Sequence, residues 1–119
     1  MLTQMASRPT APTVTSPRPR VLLVEDNARL AGSIRDYLEK HGLEVHVECD
    51  GLAAAARIER LHPDLVVLDL MLPGKDGLTI CRELRRTDRT PVLMLTAMCE
   101  EIELVLGLGV CADVYVVKP

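Results

Sequence analysis

A chain of 119 residues with 48% apolar content suits a single domain and can fill one core. It carries two Tyr, no Trp and no Phe, so there is no aromatic platform for stacking bases, which argues against single-stranded nucleic-acid binding. The formal net charge is −3, and setting aside the +3 of the first twenty residues leaves about −6 on the remainder, which disfavours direct contact with a phosphate backbone.

Those first residues, "MLTQMASRPTAPTVTSPRPR", hold four of the eight Pro, three Arg and no acid. Such a composition resists packing, so residues 1–19 are expected to form a disordered tail ahead of a domain over 20–119. The tail lacks the apolar core of a secretory signal, and no later run nears the roughly 18 apolar residues of a membrane span. A cytoplasmic protein without membrane contact is expected.

"RVLLVE" at Arg20 to Glu25 is a short aliphatic strand with a helix start behind it. Asn27 can cap that helix, and Leu30, Ile34, Tyr37 and Leu38 fall on one face. His41 and Gly42 end it. Leu43, Val45, Val47 and Cys49 alternate with polar residues as a half-exposed strand should, and Asp50 can cap the Ala-rich helix that stops before Pro63.

"DLVVLDL" at Asp64 to Leu70 is apolar on both faces, the pattern of a central parallel strand covered by helices on each side. A Pro-Gly turn follows, then a helix with Leu78, Cys81 and Leu84 inward and Arg82, Arg85, Arg86 and Arg89 on a solvated face. "PVLMLTA" is a fourth strand, Glu100 to Leu108 a helix with Ile102, Val105 and Leu106 inward and Gly107 and Gly109 loosening its end, and "DVYVVK" a fifth strand. Strands alternating with helices predict an open, mostly parallel α/β sheet, whose ligands bind at the carboxyl ends of the strands. Cys49, Cys81, Cys99 and Cys111 form no C-x-x-C pair, so reduced, mostly buried thiols are expected. His41, His46 and His62 read as surface residues.

The carboxyl ends of these strands carry Glu25 and Asp26, Asp69, Thr96 and Lys118. Asp69 interrupts a run too apolar to hold an unpaired carboxylate. Three nearby carboxylates need a cation to stay ionised, and hard oxygen ligands that leave room for water and phosphate suit Mg²⁺. Lys118 adds a positive charge and the Thr96 hydroxyl can donate to an anion, a combination that suits phosphoryl transfer onto a carboxylate nucleophile.

"VEDN" at Val24 to Asn27, "LDLMLPGKDG" at Leu68 to Gly77, "LTA" at Leu95 to Ala97 and "ADVYVVKP" at Ala112 to Pro119 together resemble a receiver domain of a two-component response regulator. The resemblance runs from Arg20 to Pro119 and implies an open parallel sheet with the flavodoxin-like strand order 2-1-3-4-5. It implies Asp69 as the phospho-acceptor that takes a phosphoryl group from a sensor histidine kinase. Asp26, Asp69 and the Met71 backbone carbonyl would bind Mg²⁺, with Glu25 acting mainly through water. Lys118 would bridge to the phosphoryl oxygens, Thr96 would move toward them, and Tyr115 would be the aromatic switch that follows. Pro73 and Gly74 would shape the adjoining loop.

"MLPGKDGLTICRELR" and "LGLGVCADVYVVKP" resemble the winged-helix OmpR/PhoB class, RstA-like members included. That class implies a homodimer through the fourth-helix and fifth-strand face, and DNA binding only through a C-terminal domain beyond this sequence. Receivers also continue into a fifth helix after the Lys-Pro pair. Its absence here predicts an aliphatic sheet face covered by the first helix alone, and a chain prone to self-association.

Three other readings compete. A phosphatase of the haloacid-dehalogenase type needs an acid two residues after the nucleophile, where Met71 stands. A flavodoxin-like phosphate binder is opposed by Glu25 and Asp26. A receiver-fold interaction module that no longer switches remains as the alternative function.

Overall fold

The structure, a computed structural model, describes residues 18–108 and 111–118, and for residues 104–108 it describes the backbone. The tail over 1–17, the inward placing of Val105 and Leu106, and Gly109 lie outside that description.

Five short strands form one parallel sheet: β1 (Arg20–Val24), β2 (Glu44–Glu48), β3 (Leu65–Asp69), β4 (Val92–Thr96) and β5 (Val114–Val117). They lie in the order β2-β1-β3-β4-β5. Between them run α1 (Ala28–Lys40), a 3₁₀ turn (Gly51–Ala53) leading into α2 (Ala54–Leu61), α3 (Gly77–Thr87) and α4 (Cys99–Leu108). The order makes β1 and β3 neighbours, so the chain reverses its direction of growth between them and opens a crevice above their carboxyl ends.

Local chemistry sets the helix boundaries. Asn27 accepts from the Leu30 N–H at 3.1 Å, Asp50 from Leu52 at 2.9 Å and Asp76 from Thr79 at 2.9 Å, each satisfying an orphan donor of a first turn. Asn27 therefore caps α1, as its position predicts. Gly42, at φ +86°, carries the chain out of that helix.

The apolar pattern sorts the core into two layers. Leu22, Val24, Val66, Leu68, Val92 and Met94 face α2 and α3, where Ala54, Ile58, Ile80 and Cys81 close on them. Their strand neighbours Val21, Leu23, Val67 and Leu95 point to the opposite face and meet Ala31, with Ile34 and Leu38 packed behind. β3 is buried on both faces, as its continuous aliphatic run requires. On the α1 side, the β5 residues Val114 and Val116 are 48% and 39% exposed.

Three expectations about side chains are corrected. Tyr37 is 63% exposed and tilts against His41, because Ala31, Ile34 and Leu38 already define the inward stripe and Tyr37 falls beside it. Cys49 and Cys99 are exposed, since one lies just past the end of β2 and the other opens α4. Cys81 is buried, and burial, together with the neighbouring Cys111, pushes its thiol up to about 12. Arg85 is not part of a solvated face: its guanidinium donates to the Cys111 and Thr90 carbonyls at 2.9 and 2.8 Å and to the Asp113 carboxylate at 2.9 Å. The same carboxylate oxygen accepts from the Val92 N–H, so Arg85 and Asp113 together fasten the start of β5 to α3 and β4.

Candidate functional site

The crevice collects the polar residues that end the apolar strands. Glu25 follows β1 directly, and its N–H donates to the Glu48 carbonyl, which holds it at the mouth of the sheet. Asp69 is the last residue of β3 and pairs in register with Leu95 of β4. Glu25 and Asp69 are 1% and 2% exposed, while Asp26 is open to solvent. Carboxylate oxygens of Glu25, Asp26 and Asp69 all lie within 4.8 Å of one another.

Lys118 reaches this cluster from the end of β5, where its N–H donates to the Thr96 carbonyl at 2.7 Å. Its ammonium is 3.1 Å from Glu25 Oε1 and 3.1 Å from Asp69 Oδ2, bridging two carboxylates that would otherwise repel. Burial pulls the Lys118 pKa down, but the two carboxylates outweigh it and the net shift is upward. Burial likewise drives the Glu25 carboxyl up, against the Asn27 N–H and Lys118 that favour its charged form.

Glu25 Oε1 is buried and has no aligned hydrogen bond, so its contact with Lys118 is charge against charge. Three carboxylates whose oxygens lie this close together form a hard-oxygen donor set. It fits a Mg²⁺ ion, which takes one or two carboxylates and fills its remaining positions with water and phosphate oxygens.

Around the cluster, Asp69 Oδ1 accepts from the Met71 N–H at 3.2 Å, which brings the Met71 backbone beside the Asp69 carboxylate. Gly74 sits at φ +83°, a conformation that favours glycine, and so sets the loop beyond Pro73. Gly77 donates to the Leu70 carbonyl at 2.9 Å, and a Cβ on it would collide with the Asp69 carbonyl oxygen. The start of α3 is thus seated directly on the end of β3.

Two expected switch residues are engaged elsewhere. The Thr96 hydroxyl donates to the Glu101 carboxylate, and Tyr115 packs against the core while its hydroxyl accepts from the Cys111 and Ala112 N–H groups at 3.3 Å each. Glu101 and Arg85 are the residues that sequence reasoning missed. A Glu three residues into a helix is a known signal for back-reaching contacts, but Met98 at the head of α4 lacks the side chain that would have flagged it.

A family model for the response regulator receiver domain matches residues 21–119. The chain belongs to this receiver family. Curated relatives include the transcriptional regulatory protein BaeR of Escherichia coli, 45% identical over 101 residues that make up 85% of this chain and 42% of BaeR. The DNA-binding response regulator MtrA of Mycobacterium tuberculosis is 44% identical over 102 residues, 86% of this chain and 45% of MtrA. These relatives are of the OmpR/PhoB class, and the chain spans a little under half of their length.

Among solved structures, the BeF3-activated N-terminal receiver domain of Klebsiella pneumoniae RstA is 40% identical, with a TM-score of 0.76 over 84% of this chain and 87% of that one. The receiver domain of the Francisella response regulator 1452 matches with a TM-score of 0.78 at 32% identity, over 86% of this chain and 85% of that one. The receiver fold is therefore shared across the sheet, and receivers are signalling phospho-acceptors with an acidic, Mg²⁺-binding site. Among the described residues, no helix is long and apolar enough to cross a membrane.

Proposed function

We propose that Asp69 accepts a phosphoryl group from the phosphohistidine of a sensor histidine kinase, within a receiver unit over residues 20–119. The observation that carries this reading is the bridge from Lys118 to both Asp69 and Glu25 beside Asp26. An Asp69 carboxylate oxygen attacks phosphorus as the P–N bond to the histidine breaks, and the departing imidazole keeps the bonding pair and takes up a proton. Asp69, Asp26 and the Met71 carbonyl would hold Mg²⁺, with Glu25 behind a water molecule. When bound, the ion neutralises charge on the transferring oxygens.

Lys118 supplies the fixed positive charge. It releases one ion-pair contact to a phosphoryl oxygen and retains the strand-end position set by its backbone bond to Thr96. Phosphorylation adds about −1.5 to −2 charge and three acceptor oxygens, which Lys118 and the Thr96 hydroxyl would receive. Tyr115 would respond to the displacement of Thr96. The chain's only catalysis is then its own aspartyl phosphorylation and dephosphorylation. Its output is transcriptional, through a DNA-binding domain of the kind that MtrA's name records, with dimerisation on the α4 and β5 face, in the cytoplasm.

Intact-mass analysis after incubation with acetyl phosphate tests this. One added phosphoryl group that requires both Mg²⁺ and Asp69, and is lost in Asp69→Asn, is expected. No added mass on a chain shown to be folded would overturn it in favour of a silent interaction module.

A further inference from the structure

Thr96 is 1% exposed, and its hydroxyl donates to Oε1 of Glu101 in the first turn of α4. The same oxygen accepts from the Ala97 N–H at 3.1 Å, so one carboxylate reaches back across the whole β4–α4 connection. The Met98 carbonyl also lies 3.3 Å from the hydroxyl. A threonine has one proton to give, and an ionised carboxylate is the stronger acceptor. The Thr96 hydroxyl in turn holds the Glu101 carboxyl below its ordinary range.

Asp69 and Leu95 are partners across adjacent strands, which puts Thr96 one residue beyond the phospho-acceptor's own partner. A phosphoryl group on Asp69 is therefore a second anion asking for the proton that Glu101 already holds. We propose that Glu101 is a positioning residue that competes with the Asp69 phosphoryl group for the Thr96 hydroxyl, so that its release is part of the cost of switching. This inference rests on the reading of Asp69 as phospho-acceptor. When Thr96 turns toward the phosphoryl group, Glu101 loses its hydroxyl partner and the first turn of α4 loses a tether to β4. The state of Asp69 thus reaches the helix through a single exchanged hydrogen bond.

A helix cap is the plainer account of Glu101, whose position resembles the Glu of a capping box. A cap needs only backbone N–H groups, those of Ala97 and Met98. It makes no demand on the Thr96 hydroxyl, and that difference can be measured.

The test titrates the Mg²⁺-loaded protein with beryllofluoride, a phosphoryl analogue, and reads binding from calorimetry and amide NMR shifts. Glu101→Ala is expected to bind about tenfold tighter than the unaltered chain, the worth of one charge-assisted hydrogen bond. Glu101→Gln, which keeps an acceptor for Ala97, is expected to fall between them and carries the test should Glu101→Ala not fold. In a Thr96→Ala background neither change is expected to alter affinity. Equal affinity for all Glu101 variants, or the same gain with and without the threonine hydroxyl, would reduce Glu101 to a cap while leaving Asp69's role standing. Failure of the folded, unaltered chain to bind beryllofluoride would remove both.

Discussion

The ammonium of Lys118 lies 3.1 Å from Asp69 Oδ2, giving this buried carboxylate a cationic partner. Because the same nitrogen is 3.1 Å from Glu25 Oε1, removing it leaves two buried carboxylates facing each other. Breaking a buried pair on one side costs on the order of 3 kcal/mol. Lys118→Ala is expected to lose stability of that order in urea unfolding, with part of the loss recovered by excess Mg²⁺, which supplies the missing charge. A variant as stable as the parent without Mg²⁺ would show that the ion pair does not hold the strand ends together.

Glu25 predicts how stability follows pH. Burial raises its folded pKa above the ordinary 4.5, so the folded chain holds this proton more tightly than the unfolded one. Its contribution to stability is complete below 4.5 and is lost as pH rises through the folded value. Glu25→Gln abolishes this loss. The stability of the variant relative to the parent is expected to improve from acid toward neutral pH, and unfolding midpoints across that window would check it. An unchanging difference would contradict the raised pKa.

Arg85 joins three backbone and side-chain acceptors around the start of β5. Arg85→Ala is expected to cost about 2 kcal/mol and to speed hydrogen exchange at β5 ahead of β1 and β3. Arg85→Lys is expected to recover little, because a single ammonium cannot reproduce the planar fork of donors. Uniform acceleration across the sheet would mean that the residue acts on global stability instead of on the attachment of β5.

Gly77 meets the backbone of Asp69 so closely that no side chain fits between them. Gly77→Ala must push α3 away from the end of β3, which displaces the carbonyl and with it the carboxylate. A stability loss of about 1–3 kcal/mol is expected, accompanied by slower acetyl-phosphate labelling of the folded fraction. Labelling at the parental rate would show that the Asp69 carboxylate is held independently of this contact.

The alternation of aliphatic strands with capped helices was legible because its signals are local. An apolar run announces a strand, Asn27 and Asp50 cap within three residues of themselves, and an acid at the end of such a run marks a strand mouth, whereas the Asp76 cap was not read from the sequence. Glu25, Asp69, Thr96 and Lys118 stood out for that reason, and the four motifs in register carried the resemblance to receivers. Even Tyr37 was misplaced only by the breadth of a helical stripe, since a residue at the edge of the stripe is turned inward or outward by what packs beside it.

The partners, by contrast, follow from long-range packing. Arg85 and Asp113 are 28 positions apart, and nothing in either neighbourhood announces the other. The same holds for the Lys118 ammonium between Glu25 and Asp69, which exists because the parallel sheet gathers one end of every strand. Thr96 and Glu101 are near in sequence, yet their contact depends on how the chain turns between β4 and α4, which periodicity does not encode. The elements and the chemical types at their ends thus follow from interactions that span a few residues. Which charge meets which, and which acid Thr96 holds, followed from packing that brings distant backbone ends into one crevice.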